Sequence, residues 1–283
     1  MKPSNLKSKI FLDSGNPEET KQALAILGFL DGQTTNPSLI AKNPQTAGKK
    51  FTLDGIYDFY KGVISEISPF MPKGSVSIEV CADKNTTADT MFEQGKKMFT
   101  WIPNAHIKYP TNAAGLEATE RSVKAGIRVN MTLVFSQGQA AAVYAATRGA
   151  TKGDVFLSPF VGRLDDRGEN GMDFIKNTLH LYKDGDGHVE ILSASIRNMD
   201  HFLYSIALGC DILTVPFKIL KEWAEAGFPV PDSSYVYDAK SLTPIPYETL
   251  DLSKPWREFN IQHDLTDKGL EKFATDWNAL VQK

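Results

Sequence analysis

"SVSIEV", residues 75–80, alternates apolar Val76, Ile78 and Val80 with polar Ser75, Ser77 and Glu79. Successive side chains of a strand point to opposite faces, so this segment has one apolar and one polar face. "RVNMTL" (128–133) repeats the pattern, setting Val129, Met131 and Leu133 against Arg128, Asn130 and Thr132. In "HIKYP" (106–110), Ile107 and Tyr109 flank Lys108, and in "VEILSASIR" (189–197) one set runs Ile191, Ser193, Ser195, Arg197. A doubly wound sheet is covered by helices on both faces, and its central strands read apolar throughout. Here helices cover only the apolar face, which leaves the polar face to line a shared interior or meet water. That choice decides between an open sheet and a closed barrel.

Four further strands are expected at "KIFLD" (9–13), "GQTTN" (32–36), "VFLSPF" (155–160) and "DILTVP" (211–216). Between the strands lie stretches of helical spacing, among them "PEETKQALAILGFL", "TTADTMFEQGKKMF" and "AAGLEATERSVKAG", with Gly126 and Gly209 placed where helices end. Eight βα units in succession imply parallel strands with crossover helices, and eight is the number that closes a barrel. The expected fold is therefore an α/β (β/α)8 TIM barrel, one domain over residues 1–283. After "KILKEWAEAG" the repeat stops. Residues 228–262 carry Pro229, Pro231, Pro244, Pro246 and Pro255 and read as an extended surface segment. A closing helix is expected over 266–281, capped at Thr266 or Asp267.

Composition narrows the function classes. The chain of 283 residues has 42% hydrophobic and 23% charged residues and a formal net charge of −3, the balance of a globular domain able to bury a large core. It has no basic block or stripe, which argues against nucleic acid and anionic membrane as partners. Two cysteines, Cys81 and Cys210, lie far apart and suit a reducing compartment. No apolar leader or 18-residue apolar run is present, so a cytoplasmic location is expected. The five histidines include no HxH or HExxH pair, and neither GxGxxG nor GxxxxGK[ST] occurs. No metal or cofactor is expected. Metabolic barrels often associate, so a homo-oligomer is compatible with the chain, although no residue names an interface.

Each polar residue on these strands has a plain structural reading by itself. Asp13 ends a strand as a cap would, "TTNPS" (34–38) is turn-forming, Ser158 precedes a proline, and Arg163 and Arg197 suit a surface. Together they converge: Asp13, Asn36, Glu79, Lys108, Asn130, Thr132, Ser158 and Ser195 fall on seven of the eight strands and would meet at one barrel mouth. A lysine held there out of water gives up its proton more readily than a solvated one. The free amine attacks a carbonyl, and the resulting iminium is an electron sink for C–C cleavage, with carboxylates to move protons.

These residues resemble those of the transaldolase family, within the class I aldolases. The resemblance is carried in order by "FLDSGNPEE" (11–19), "DGQTTNPSLI" (31–40), "VSIEV" (76–80), "IKYPTNAAGLEA" (107–118), "GIRVNMTLVFSQGQA" (126–140), "LSPFVGRLDD" (157–166), "ILSASIRN" (191–198) and "GCDILTVPFKIL" (209–220). It implies that Lys108 is the Schiff-base lysine and that Asp13 is the acid/base for the C4 hydroxyl. Glu79 with Thr132 would position a water. Asn36, Asn130 and Ser158 would hold the dihydroxyacetone unit, and Arg163, Ser195 and Arg197 the phosphate. The implied donors are sedoheptulose 7-phosphate or fructose 6-phosphate, in the pentose phosphate pathway.

A close relative, fructose-6-phosphate aldolase, releases free dihydroxyacetone; the resemblance there implies Gln at Glu79 and Tyr at Phe160. Glu79 and Phe160 thus favour transfer over release. Tyr109 stands where a small aliphatic residue is typical and should face the helices, and "TNAAG" (111–115) is unusual after its strand. A sulfonated or otherwise anionic ketose as donor, and a non-catalytic sugar-phosphate-binding barrel, are the competing readings.

Overall fold

The computed structural model describes residues 2–282. Its strands are β1 (Lys9–Asp13), β2 (Gly32–Thr34), β3 (Ser75–Glu79) and β4 (Ala105–Pro110), then β5 (Val129–Val134), β6 (Val155–Pro159), β7 (Val189–Ser193) and β8 (Ile212–Val215). All eight are parallel to their neighbours, and β8 pairs with β1 to close the barrel. The first helices are α1 (Pro17–Leu27), α2 (Pro37–Ala41), α3 (Leu53–Ile67), α4 (Ala88–Phe99) and α5 (Ala113–Lys124). There follow α6 (Gln137–Ala146), α7 (Val161–Asp165), α8 (Gly171–Tyr182), α9 (Met199–Ala207), α10 (Phe217–Glu225) and α11 (Asp264–Asn278). The (β/α)8 TIM barrel expected from the two-faced strands is the fold. Among the described residues, no helix is long and apolar enough to cross a membrane.

The strand faces sort as alternation requires. Ile107 and Tyr109 point outward, and the Tyr109 hydroxyl shares a 2.9 Å hydrogen bond with Ser122 on α5. On the inner face, Glu79 pairs in register with Lys108, and Lys108 with Asn130. Lower in the barrel, His106 stacks on Phe156 at 4.1 Å between centroids, and Phe11 meets Phe156 edge-on at 5.9 Å. His106 is fully partnered there, with Nδ1 2.7 Å from Ser75 Oγ and Nε2 2.8 Å from the Gly153 carbonyl oxygen. Burial pushes its pKa down to about 3, so the imidazole is a neutral packing element. These rings form the floor of the barrel. Phe156→Ala removes the ring that the other two pack on and should cost about 3–5 kcal/mol, read as a lower midpoint of denaturant unfolding.

β7 departs from the expected face. Ser193 points out of the barrel and shares a 3.0 Å hydrogen bond with Ser205 on α9, so it is the opposite set of β7 that faces inward. Glu190 accordingly lies inside at the lower end, where Lys9 pairs with it at 2.9 Å. Ser195 reaches the mouth by another route. The strand ends at Ser193 and Ser195 takes a left-handed backbone, φ 57°, which turns the chain back over the barrel.

The closing helix begins two residues earlier than the 266–281 expected, with His263, rather than Thr266 or Asp267, accepting from Leu265 N–H as the cap, and it ends at Asn278. Thr266 is not free to cap because its hydroxyl donates to the Leu133 carbonyl at 2.9 Å and accepts from Gln139 Nε2 at 2.8 Å. Leu133 itself sits at an irregularity in β5 with φ 59°, which exposes that carbonyl. A strand irregularity thus anchors α11 beside the barrel mouth. The proline-rich segment 228–262 contains one short 3₁₀ turn, Trp256–Glu258. It is tied to the α7–α8 connection by Thr243 N–H to Gly168 O, and to helices α6 and α5 by Gln137 Nε2 to Pro246 O and Trp256 Nε1 to Glu120 Oε2.

Candidate active site

The strand ends open into a cavity of about 340 Å³ whose lining includes Asp13, Asn36, Lys108, Ser158, Phe160, Arg163, Ser195 and Arg197. Of the expected site residues, only Glu79, Asn130 and Thr132 are not part of that lining, and each is buried. Lys108 is only 3% exposed, and its Nζ lies 3.1 Å from Glu79 Oε2 and donates to the Thr35 carbonyl at 3.2 Å. Glu79, 2% exposed, has its carboxyl pKa raised by burial, with the charge of Lys108 pulling the other way. Its Oε2 contacts the ammonium off the hydrogen-bonding axis. Glu79 Oε2 and Thr132 Oγ1 are the two buried polar side-chain atoms among the described residues without an aligned hydrogen-bond partner. Buried polar groups are normally satisfied, so each of these two atoms has hydrogen-bonding capacity that the protein itself does not use.

Asp13 reaches the edge of the mouth, yet the protein packed around its carboxyl pushes the pKa up, opposed by Lys108 and by a 2.7 Å hydrogen bond from Thr34. A carboxyl with a raised pKa exchanges protons near neutrality more readily than a solvated aspartate. On the facing strands, Ser158 Oγ donates to Asn130 Oδ1 at 2.7 Å, and Asn130 Nδ2 donates to Ser77 Oγ at 3.0 Å. Asn36 lies just past β2 and has two tasks. Its Oδ1 caps α2 by accepting from Leu39 N–H at 2.8 Å, which realises the turn reading of "TTNPS", while the residue lines the cavity.

Two guanidiniums gather at one side. Arg163 stands over the rings of Phe160 (5.1 Å) and Phe273 (5.4 Å), which fix its plane by cation–π contact. Arg197 is exposed and pairs with Asp166 at 2.9 Å. Ser195 lies between the polypeptide turns that carry them.

Several lining residues escaped the reading of the sequence. Thr34 bridges Asp13 to Thr214 on β8, the one strand without an expected site residue. Ser38 comes from α2 and Lys42 from its C-terminal cap, and Phe273, Lys272 and Asp276 from α11. Asp276 joins the two helices, accepting from Ser38 and pairing with Lys272. Thr34 and Thr214 were visible as inward-facing alternates of their strands. The α11 residues carried no such signal, because only packing brings that helix to the mouth. No group of three His, Cys, Asp or Glu side chains suited to hold a metal occurs among the described residues.

The fold and site define a (β/α)8 barrel with a buried lysine–carboxylate pair below a cation-lined mouth. The model of the Transaldolase/Fructose-6-phosphate aldolase family matches residues 10–283, and the chain belongs to that family. It is 35% identical over 275 residues to a probable transaldolase of Dehalococcoides mccartyi, covering 97% of this chain and 100% of the relative. A probable transaldolase of Herpetosiphon aurantiacus is 36% identical over 272 residues, covering 96% of each chain. One from Alkaliphilus metalliredigens is 35% identical over 274 residues, covering 97% of this chain and 100% of the relative.

Proposed function

We propose that this chain transfers a three-carbon ketol unit from a ketose phosphate to an aldose phosphate through a Schiff base on Lys108. The observation that carries the reading is the buried Lys108–Glu79 pair, 3.1 Å apart, whose lysine lines the same cavity as Asp13. The Lys108 amine adds to the C2 carbonyl of the donor to give a carbinolamine. Glu79 and Thr132 hold the water that leaves as the iminium forms. Asp13 takes the proton of the C4 hydroxyl as the C3–C4 bond breaks, and the bond's electron pair moves through C3 and C2 to the nitrogen. An aldose phosphate departs and the enamine stays bound. An acceptor aldehyde then reverses the sequence, and water hydrolyses the new iminium to regenerate Lys108. Asn36, Asn130 and Ser158 hydrogen-bond the hydroxyls of the bound three-carbon unit. Arg163, Ser195 and Arg197 take the phosphate, for which two guanidiniums and a hydroxyl are a fitting donor set.

Sedoheptulose 7-phosphate and fructose 6-phosphate are the donors of this reading, with glyceraldehyde 3-phosphate and erythrose 4-phosphate as acceptors. That exchange belongs to the pentose phosphate pathway in the cytoplasm. Phe160 supports transfer over release as free dihydroxyacetone, because a buried phenyl ring beside the enamine brings no hydroxyl to protonate it. Donor and acceptor incubated together should yield the exchanged sugar phosphates, with free dihydroxyacetone a minor product. Dihydroxyacetone as the main product would make the protein a fructose-6-phosphate aldolase. Activity confined to a sulfonated ketose would keep the chemistry and replace the substrate, since guanidiniums also bind sulfonate.

A further inference from the structure

The loop that carries Ser195 and Arg197 is held from behind by residues that line no part of the cavity. His201, only 2% exposed, lies in the first turn of α9, with its N–H bonded to Asn198 Oδ1 at 2.8 Å. Its Nε2 is 2.7 Å from Asp165 Oδ2 at the end of α7, the helix that carries Arg163. Its Nδ1 accepts a long hydrogen bond, 3.4 Å, from the backbone N–H of Arg197. A ring nitrogen that accepts from an amide carries no proton, so Nε2 holds the hydrogen and donates it to Asp165. Asp165 is fixed in turn, its Oδ1 accepting from Gly171 N–H at 2.9 Å.

The same loop is pinned from the other side. Gly162 N–H donates to the Ser195 carbonyl at 3.1 Å, and a Cβ on Gly162 would lie 2.3 Å from that oxygen and 2.4 Å from Arg197 Cγ. The absence of a side chain at Gly162 is what lets α7 approach so closely. Ser195 meanwhile holds a left-handed backbone that a serine rarely adopts, a conformation that persists only where its surroundings impose it. The proline-rich segment adds a cover. Tyr237 lies over His201 with ring centroids 6.2 Å apart and stacks on Tyr204 of α9 at 4.9 Å.

We propose that Asp165 and His201 are positioning residues for the anionic end of the substrate, joining the α7 and α9 loops so that Arg163, Ser195 and Arg197 converge on one anion. The inference rests on the proposed use of those three residues for the substrate phosphate. Neither member of the pair touches the ligand. Their contribution is to hold a strained loop in the shape that binds it.

The test compares wild type with His201→Ala, His201→Asn and Asp165→Asn, using fructose 6-phosphate kinetics, titration with inorganic phosphate, and borohydride trapping of dihydroxyacetone, which carries no phosphate. His201→Ala should raise KM for fructose 6-phosphate and Kd for inorganic phosphate by about tenfold, with kcat changed by no more than about twofold. Dihydroxyacetone trapping should be unchanged. His201→Asn restores an acceptor for the Arg197 N–H but not the bond to Asp165, so it should recover only part of both losses. Wild-type KM and Kd in His201→Ala would overturn the inference. So would a loss shared equally by dihydroxyacetone trapping, which would mark general damage to the barrel. If His201→Ala does not fold, Asp165→Asn decides: it should weaken phosphate several-fold, and unchanged phosphate binding would overturn the pair's role. A wild-type protein that neither transfers nor traps would overturn the Schiff-base reading, while phosphate titration of the same variants would still decide the inference.

Discussion

Lys108→Met should lower ketol transfer by about ten-thousandfold or more, since the residue removed is the nucleophile itself. Methionine keeps the length of the side chain and loses the amine. The variant should nevertheless fold. Removing one partner of a buried ion pair is ordinarily costly because a lone charge is left behind. Here the partner is Glu79, whose carboxyl burial already pushes toward the protonated form, so loss of Lys108 lets it take up a proton and become neutral. Circular dichroism and the unfolding midpoint of Lys108→Met should therefore stay near wild type while transfer disappears. An active Lys108→Met protein would end the account.

Asp13→Asn should lower transfer by about a hundred- to ten-thousandfold, the usual contribution of one acid/base group. The defect should be confined to one step. Dihydroxyacetone has no C4 hydroxyl, so it should still be trapped on Lys108 by borohydride in Asp13→Asn at close to the wild-type extent. Asparagine keeps the size of the side chain beside Thr34 and removes only its ability to accept the proton. A variant that fails in trapping and in cleavage alike would move Asp13 from C–C cleavage to Schiff-base formation.

The barrel was legible because its strands carry two messages at once. In β3, β4 and β5 the outer alternates are continuously apolar and the inner ones polar, and this gives both the fold and the placement of Glu79, Lys108, Asn130 and Thr132. Lys108 between Ile107 and Tyr109 is the clearest case, since a lysine in a buried strand has few explanations other than chemistry. β7 misled because its serines occur on both faces. Ser193 satisfies a helix serine, and Ser195 reaches the mouth only through a left-handed turn that periodicity does not report. The closing helix was visible as a helix, but its start was misplaced because Thr266, the better capping residue by type, is engaged with Leu133 and Gln139. The contributions of α2 and α11 to the mouth were hidden for a more general reason. They depend on where helices distant in sequence come to rest, and Asp276 and Ser38 meet across 238 positions.

The central claim is that Lys108 forms the covalent bond to the substrate. Incubation with fructose 6-phosphate, reduction by borohydride and peptide mapping by mass spectrometry test it most directly. The account predicts a reduced three-carbon adduct on the peptide containing Lys108, absent without the sugar and absent from Lys108→Met. An adduct on another lysine, or transfer activity that survives borohydride with Lys108 unmodified, would contradict it.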